Sequence, residues 1–209
     1  MDNYKDLLDA LAWIQRRIES SIAVKKTLIS QPILEQIIQV GKVLAERLSD
    51  GHQLLIFGNG GSAADAQHIA TELVSSFYLQ RRALPAMALT TNTSVLTAIG
   101  NDYDFDKVFM RQIEAYGKPG DVAIGISTSG RSRNVVQGLK KSHELGQYTV
   151  ALTGMSGHDM QSIAEVCICV PSQDTPRIQE SHILIGHILC EYVEQTLFGV
   201  EHKKPGEGE

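Results

Sequence analysis

Leu54-Leu-Ile-Phe-Gly-Asn-Gly-Gly-Ser-Ala63 is the stretch on which the fold turns. A continuous apolar run, Leu54–Phe57, gives way to a glycine turn and then to a helical pattern. The same change recurs further on. Val122–Ile126 runs into Ser127-Thr-Ser-Gly-Arg-Ser132 and a second helical pattern. Three more short apolar runs are Ala86–Leu89, Tyr148–Leu152 and Val166–Val170. Between and after the runs lie helical patterns at about 63–80, 93–99, 107–116, 133–145, 157–164 and 176–198. Strands that are apolar throughout and alternate with helices predict a parallel sheet covered on both faces. The expectation is one three-layer α/β domain over residues 1–200.

Upstream, the pattern is helical only. Leu7, Leu8, Leu11, Ile14 and Ile18 recur at three- and four-residue spacing, as do Ile33, Ile37, Val40, Leu44 and Leu48. Gln31-Pro32 divides residues 5–49 into two helices, since proline suits a first helical turn. Residues 1–50 are thus read as a helical N-terminal extension. Their apolar stripes exceed what one small α/β domain can cover, so a homo-oligomer is expected. The charged, glycine-rich tail 201–209 is expected to be disordered.

The chain has 209 residues, 43% hydrophobic and 21% charged, with a net charge of −5. A mildly acidic chain lacks the basic patch of a nucleic-acid binder. No apolar run reaches the roughly 20 residues of a membrane span, and no signal peptide opens the sequence. Cys167, Cys169 and Cys190 are read as free thiols in a reducing, cytoplasmic setting.

Ligands of open α/β sheets bind at the carboxyl ends of the strands, where both strand-to-helix loops must lie. Ser127, Thr128, Ser129 and Ser132 bring four hydroxyls to a helix start. One hydroxyl is enough for a cap; four beside unpaired N–H groups fit a phosphate. Gly58, Gly60 and Ala63 satisfy a dinucleotide-binding pattern. That reading needs an acid at the end of the second strand, and Thr90-Thr91-Asn92 stands there instead. No nicotinamide cofactor is expected. Asn59, flanked by glycines, is placed to present an amide to a sugar hydroxyl.

His68 and Glu72 share a helix face at i and i+4. Gln179 and His187 lie eight residues apart on the last helix, with His182 between them. Singly, each has the plain reading of a solvated or partly exposed polar residue. Together they suit two kinds of chemistry. A carboxylate and a neutral imidazole can move the protons that interconvert a ketose and an aldose. Nitrogen and carboxylate donors can also hold a divalent ion.

Residues 57–73, together with Gly125–Ser132 and Arg177-Ile-Gln-Glu-Ser-His182, resemble the signatures of the phosphoheptose isomerases. These form a branch of the sugar isomerase (SIS) domain family, and the likeness runs over nearly the whole chain. It implies a flavodoxin-like, five-stranded parallel sheet and a homotetramer with active sites between subunits. The implied reaction converts sedoheptulose 7-phosphate to D-glycero-D-manno-heptose 7-phosphate, the first step towards nucleotide-activated heptose for lipopolysaccharide or a related glycan.

By position, the resemblance makes Glu72 and His187 catalytic. It makes His68, Glu72, Gln179 and His187 ligands of one zinc ion per subunit. Ser127, Thr128, Ser129 and Ser132 match phosphate-binding positions. Asn59, Gly60, Gly61, Glu72, Asn101, Asp102 and Gln179 match positions that contact the sugar. Ser76 stands where many relatives carry arginine, with Arg81 and Arg82 as nearby substitutes. The alternative is a non-catalytic SIS tetramer that binds the replication initiator. Retention of both Glu72 and His187 favours the enzyme.

Overall fold

The computed structural model describes residues 2–199. The tail 201–209 lies outside them. Helices α1 (Asp2–Thr27) and α2 (Gln31–Ser49) form the N-terminal extension. They part at the expected place, with Pro32 in the first turn of α2. From there strands and helices alternate: β1 (Leu54–Gly58), α3 (Gly61–Val74), β2 (Ala86–Ala88), α4 (Thr93–Asp102), α5 (Val108–Tyr116), β3 (Val122–Ser127), α6 (Arg133–Glu144), β4 (Tyr148–Thr153), α7 (His158–Gln161), β5 (Val166–Cys169) and α8 (Thr175–Phe198).

The five strands form a parallel sheet in the order β2-β1-β3-β4-β5. This is the flavodoxin-like order, which places the topological switch between β1 and β3. Gly58 pairs with Ile126 at that point, so the two loops leave the sheet side by side.

Period-two alternation splits the buried side chains between two faces. Leu54, Ile56, Val122 and Ile124 face α2, α3 and α8. Leu55, Phe57 and Ala123 face α5, α6 and α7. The result is three layers. On the first face α8 lies close along α3. A Cβ at Gly186 would collide with Cδ1 and Cγ1 of Ile69, so that side chain or the helix would have to move. Glycine there lets the two helices approach.

Two helices are shorter than their sequence patterns predict. The pattern at 63–80 ends as a helix at Val74 because the following backbone bonds elsewhere. The Glu194 carboxylate, on α8, accepts the N–H groups of Phe77, Tyr78 and Leu79 at 2.8, 2.8 and 3.0 Å. Arg81 Nε donates to the same carboxylate at 2.9 Å. Both side chains are buried, at 0% and 1% exposure. The pattern at 157–164 yields only the four-residue α7, whose N-cap Gly157 and first residue His158 both have positive φ.

In α1 the apolar stripe is solvent-facing. Leu7, Leu8, Leu11, Ile14 and Ile18 are 48–57% exposed. Only the later part of α1 is tied down, through Ser21 to Glu180 and through Arg177, which donates to the Arg17 carbonyl. No described helix is long and apolar enough to cross a membrane.

Burial alone raises the Glu194 carboxyl, but the three backbone N–H bonds and the Arg81 charge outweigh it and hold it below its ordinary 4.5. Glu194→Ala leaves the buried Arg81 charge without its carboxylate and three N–H groups unbonded. The expected loss is about 3–5 kcal/mol in urea unfolding. Lys141→Ala, which removes an exposed pair with Glu144, should change little. A carboxyl with a depressed folded value stabilises fully above its unfolded value. The difference between wild type and Glu194→Ala should therefore hold above pH 4.5 and shrink as pH falls below it. Equal urea midpoints at neutral pH would refute this account.

Candidate active site

Both loops open at the carboxyl end of the sheet. The serine loop is organised by its own hydroxyls. Ser127 Oγ lies 2.9 Å from Ser132 Oγ and 3.4 Å from Ser129 Oγ. Ser129 Oγ also accepts the Arg131 N–H at 3.2 Å. Ser132 precedes α6 but makes no side-chain cap bond, so its hydroxyl faces the cluster rather than the helix. Thr128 and Ser129 line a cavity of about 450 Å³ whose far wall includes Ser172, Thr175 and Ile178. The last two belong to the first turn of α8.

The glycine loop is bound to the serine loop from below. Asn59 and Asn134 exchange amide hydrogen bonds, each 2.8 Å. Asn134, in the first turn of α6, was not signalled by the sequence patterns. One donor and one acceptor of Asn59 are thus engaged, and its half-buried side chain keeps a second N–H. Gly60 and Gly61 are exposed at the start of α3. Gln179 lies directly against them: a Cβ on Gly61 would stand 2.1 Å from Gln179 Nε2. Glycine at that position lets the amide rest on the helix start.

Further along the same two helices, three donors converge. His68 Nε2 lies 2.8 Å from His187 Nε2 and 3.3 Å from Glu72 Oε1. One ligand atom from each of His68, Glu72 and His187 falls within 4.8 Å of the others. Bonds of about 2.0–2.1 Å at tetrahedral angles put ligand atoms about 3.3 Å apart, so the set fits a divalent ion. Two imidazoles and a carboxylate are also the donor chemistry such ions take. Gln179 stands two turns before His187 on α8 and borders this group through Asp65.

Asp65, one turn before His68, is a polar residue the sequence reading missed. Burial pushes its carboxyl up to about 6, against the lowering influence of His68 and Gln179. Its Oδ2 has no hydrogen-bond partner. The helical spacing of Asp65 and His68 was visible, but an aspartate in an alanine-rich helix gives no sign of which way it faces.

Other expected residues lie apart. His182 is fully buried and donates from Nε2 to the Thr153 carbonyl at 3.1 Å. Burial pushes its imidazole down to about 4, so it is a neutral strut between α8 and β4. Asn101 and Asp102 end α4, are exposed, and bond each other at 2.8 Å. No described hydrogen bond or ion pair joins them to either loop. Arg81 does not replace the missing arginine at Ser76: it is turned into the core. Arg82 is exposed, its guanidinium 5.9 Å from the Phe198 ring centre. The residue beside Ser76 that does reach the group is Phe77, whose ring stacks on His187 at 5.5 Å.

The chain is similar to known proteins over most of its length. A family model described as the SIS domain matches residues 18–154, more than half of the chain. The phosphoheptose isomerase of Aquifex aeolicus is 59% identical over 163 residues, 78% of this chain and 85% of that protein. The phosphoheptose isomerase of Clostridium acetobutylicum is 50% identical over 188 residues, 90% of this chain and 96% of that one. The solved structure of phosphoheptose isomerase from Neisseria gonorrhoeae superposes with a TM-score of 0.84 at 40% identity, covering 89% of this chain and 99% of its own. These relatives are named isomerases and lend nothing to the alternative of an initiator-binding scaffold. With its sheet order, its two loops and relatives matched almost end to end, the chain belongs to the SIS-domain family, among the phosphoheptose isomerases.

Proposed function

We propose that this chain is a ketose–aldose isomerase that converts sedoheptulose 7-phosphate to D-glycero-D-manno-heptose 7-phosphate. The observation that carries the reading is the closeness of one carboxylate and one imidazole, Glu72 and His187, on two packed helices, α3 and α8, the second of which begins at the hydroxyl-lined cavity. The relatives' shared name supports the seven-carbon sugar phosphate. The product is the precursor of nucleotide-activated heptose, the use the family resemblance implies, and the three free thiols suit a reducing cytoplasm.

The hydroxyls of Ser127, Thr128, Ser129 and Ser132 and the N–H groups at the start of α6 hold the phosphate. Asn59, Gly60, Gly61 and Gln179 line the path from there to Glu72 and align the sugar chain. Glu72 takes the proton from C1 and returns it to C2. His187 moves the balancing proton between the oxygens on those carbons, so the substrate gains and loses nothing overall. A zinc ion held by His68, Glu72, Gln179 and His187 would supply a Lewis acid for the two substrate oxygens.

The exposed stripe on α1 supports a homotetramer. Asn101 and Asp102, joined to their own loops by no described hydrogen bond, then meet the sugar in a neighbouring subunit.

Turnover of sedoheptulose 7-phosphate in deuterated water should give an aldose phosphate carrying solvent deuterium. Glu72→Gln and His187→Gln should each lower the rate by about 10²–10⁴-fold with the fold intact. In the same assay, replacing Ser127 and Ser129 together by alanine should raise KM at least about tenfold, since each bond to a charged group contributes roughly 1.5–3 kcal/mol. Wild-type protein that forms no product and takes up no deuterium would overturn the reading.

Elemental analysis of protein purified without chelator should find about one zinc per chain, with little left in a His68→Ala, His187→Ala variant. Full activity after exhaustive chelation would reduce the group to acid–base residues.

Light scattering at micromolar concentration should give four times the chain mass. A monomer would remove both the tetramer and the shared site.

A further inference from the structure

We propose that Arg81 and Glu194 are positioning residues of this site: they fix the turn after α3 so that Phe77 stacks on His187 and presents it to Glu72 and His68. The inference rests on the reading of that group as an ion-holding, proton-transferring site.

Glu194 stands seven residues after His187, two turns on along the same face of α8. At about 1.5 Å per residue it acts some 10 Å down the same helix seam. Its carboxylate takes three successive backbone N–H groups, those of Phe77, Tyr78 and Leu79. A backbone held at three consecutive donors has little freedom left to swing Phe77 away.

Arg81 completes the link on the other helix. While Nε bonds Glu194, Nη2 donates to the carbonyl of Glu72 itself and Nη1 to that of Leu73, each at 2.7 Å. A guanidinium at these last carbonyls closes the end of α3 where its N–H partners run out. One ion pair therefore grips the backbone of Glu72 and the loop that carries Phe77.

The Phe77 and His187 rings lie 21° from parallel, with centres 5.5 Å apart. The His187 ring also meets His68 edge-on, centres 5.0 Å apart. The imidazole thus contacts both rings, with Nε2 towards His68 Nε2. A clamp that served stability alone needs neither the stacked ring nor the bond to the carbonyl of Glu72. Both bear on the groups whose geometry decides the chemistry.

Glu194→Ala disturbs the fold, so the test uses Phe77. Phe77→Leu keeps apolar bulk and removes the ring; Phe77→Tyr keeps the ring. Competition of the purified, folded proteins with a zinc chelator reads ion affinity without substrate. Phe77→Leu should bind zinc about 10–100-fold more weakly than wild type, as loss of an orienting partner does. Its kcat should fall with KM for the sugar phosphate little changed, its urea midpoint should stay near the wild-type value, and Phe77→Tyr should recover most of both losses. Equal zinc affinity in Phe77→Leu and wild type overturns the inference. So does a loss that follows the urea midpoint and is not restored by tyrosine, and so does a wild-type chain that holds no ion. A wild type that binds zinc tightly without turning over the sugar phosphate sinks the isomerase reading alone, because the competition involves no substrate.

Discussion

The close packing of α3 against α8 carries the site, because His68 and Glu72 stand on one helix and His187 on the other. Their donor atoms meet only if the helix axes lie closer than ordinary side chains allow. Gly186 provides that approach immediately before His187, with Ile69 filling the space a methyl would have taken. Gly61 does the same at the other end of the seam, under Gln179. Between these contacts the seam is lined by Ala66, Ile69 and Ala70 from α3 and by Ile185 and Leu189 from α8, all buried. Small residues at the crossings and branched ones between them set a distance that packing at crystal-like density then holds.

The sheet sets where that seam begins. Parallel pairing of β1 with β3 brings the glycine and serine loops out together, and the Asn59–Asn134 bonds lock one to the other. The hydroxyl cluster and the group of His68, Glu72 and His187 are consequently built on neighbouring elements around one sheet. Two buried polar residues are pushed in opposite directions by the same cause. Desolvation raises Asp65 and lowers His182, so each favours its uncharged form.

The strand–helix alternation was legible because buried parallel strands are apolar throughout and each ends in a turn. The serine loop and the His68–Glu72 pair were legible for a related reason: their members are local, fixed by a cap and by the i,i+4 spacing. Matching them to His187, 119 positions away, took the family resemblance as well as the fold. What escaped was set by long-range contact. The helix pattern at 63–80 carries no mark at Val74, since the carboxylate that ends it comes from residue 194. Arg81 stands as a substitute for the arginine missing at Ser76 until Glu194 is seen beside it. Phe77 lies within that helical pattern with no mark of its own, and its partner turns out to be the imidazole of His187. The direction of Asp65 depended on which face of α3 the sheet covers.

The wet apolar stripe on α1 has a consequence of another kind. Whatever covers it binds the folded chain and not the unfolded one, so mass action ties the stability of the fold to the concentration of that cover. If the cover is further copies of the chain, dilution acts as a denaturant, and a newly made subunit at low abundance carries its least protected surface before it has a partner. Residues 7–18 would then work as a concentration gauge, with the strength of the reading set by five side chains that take no part in the chemistry.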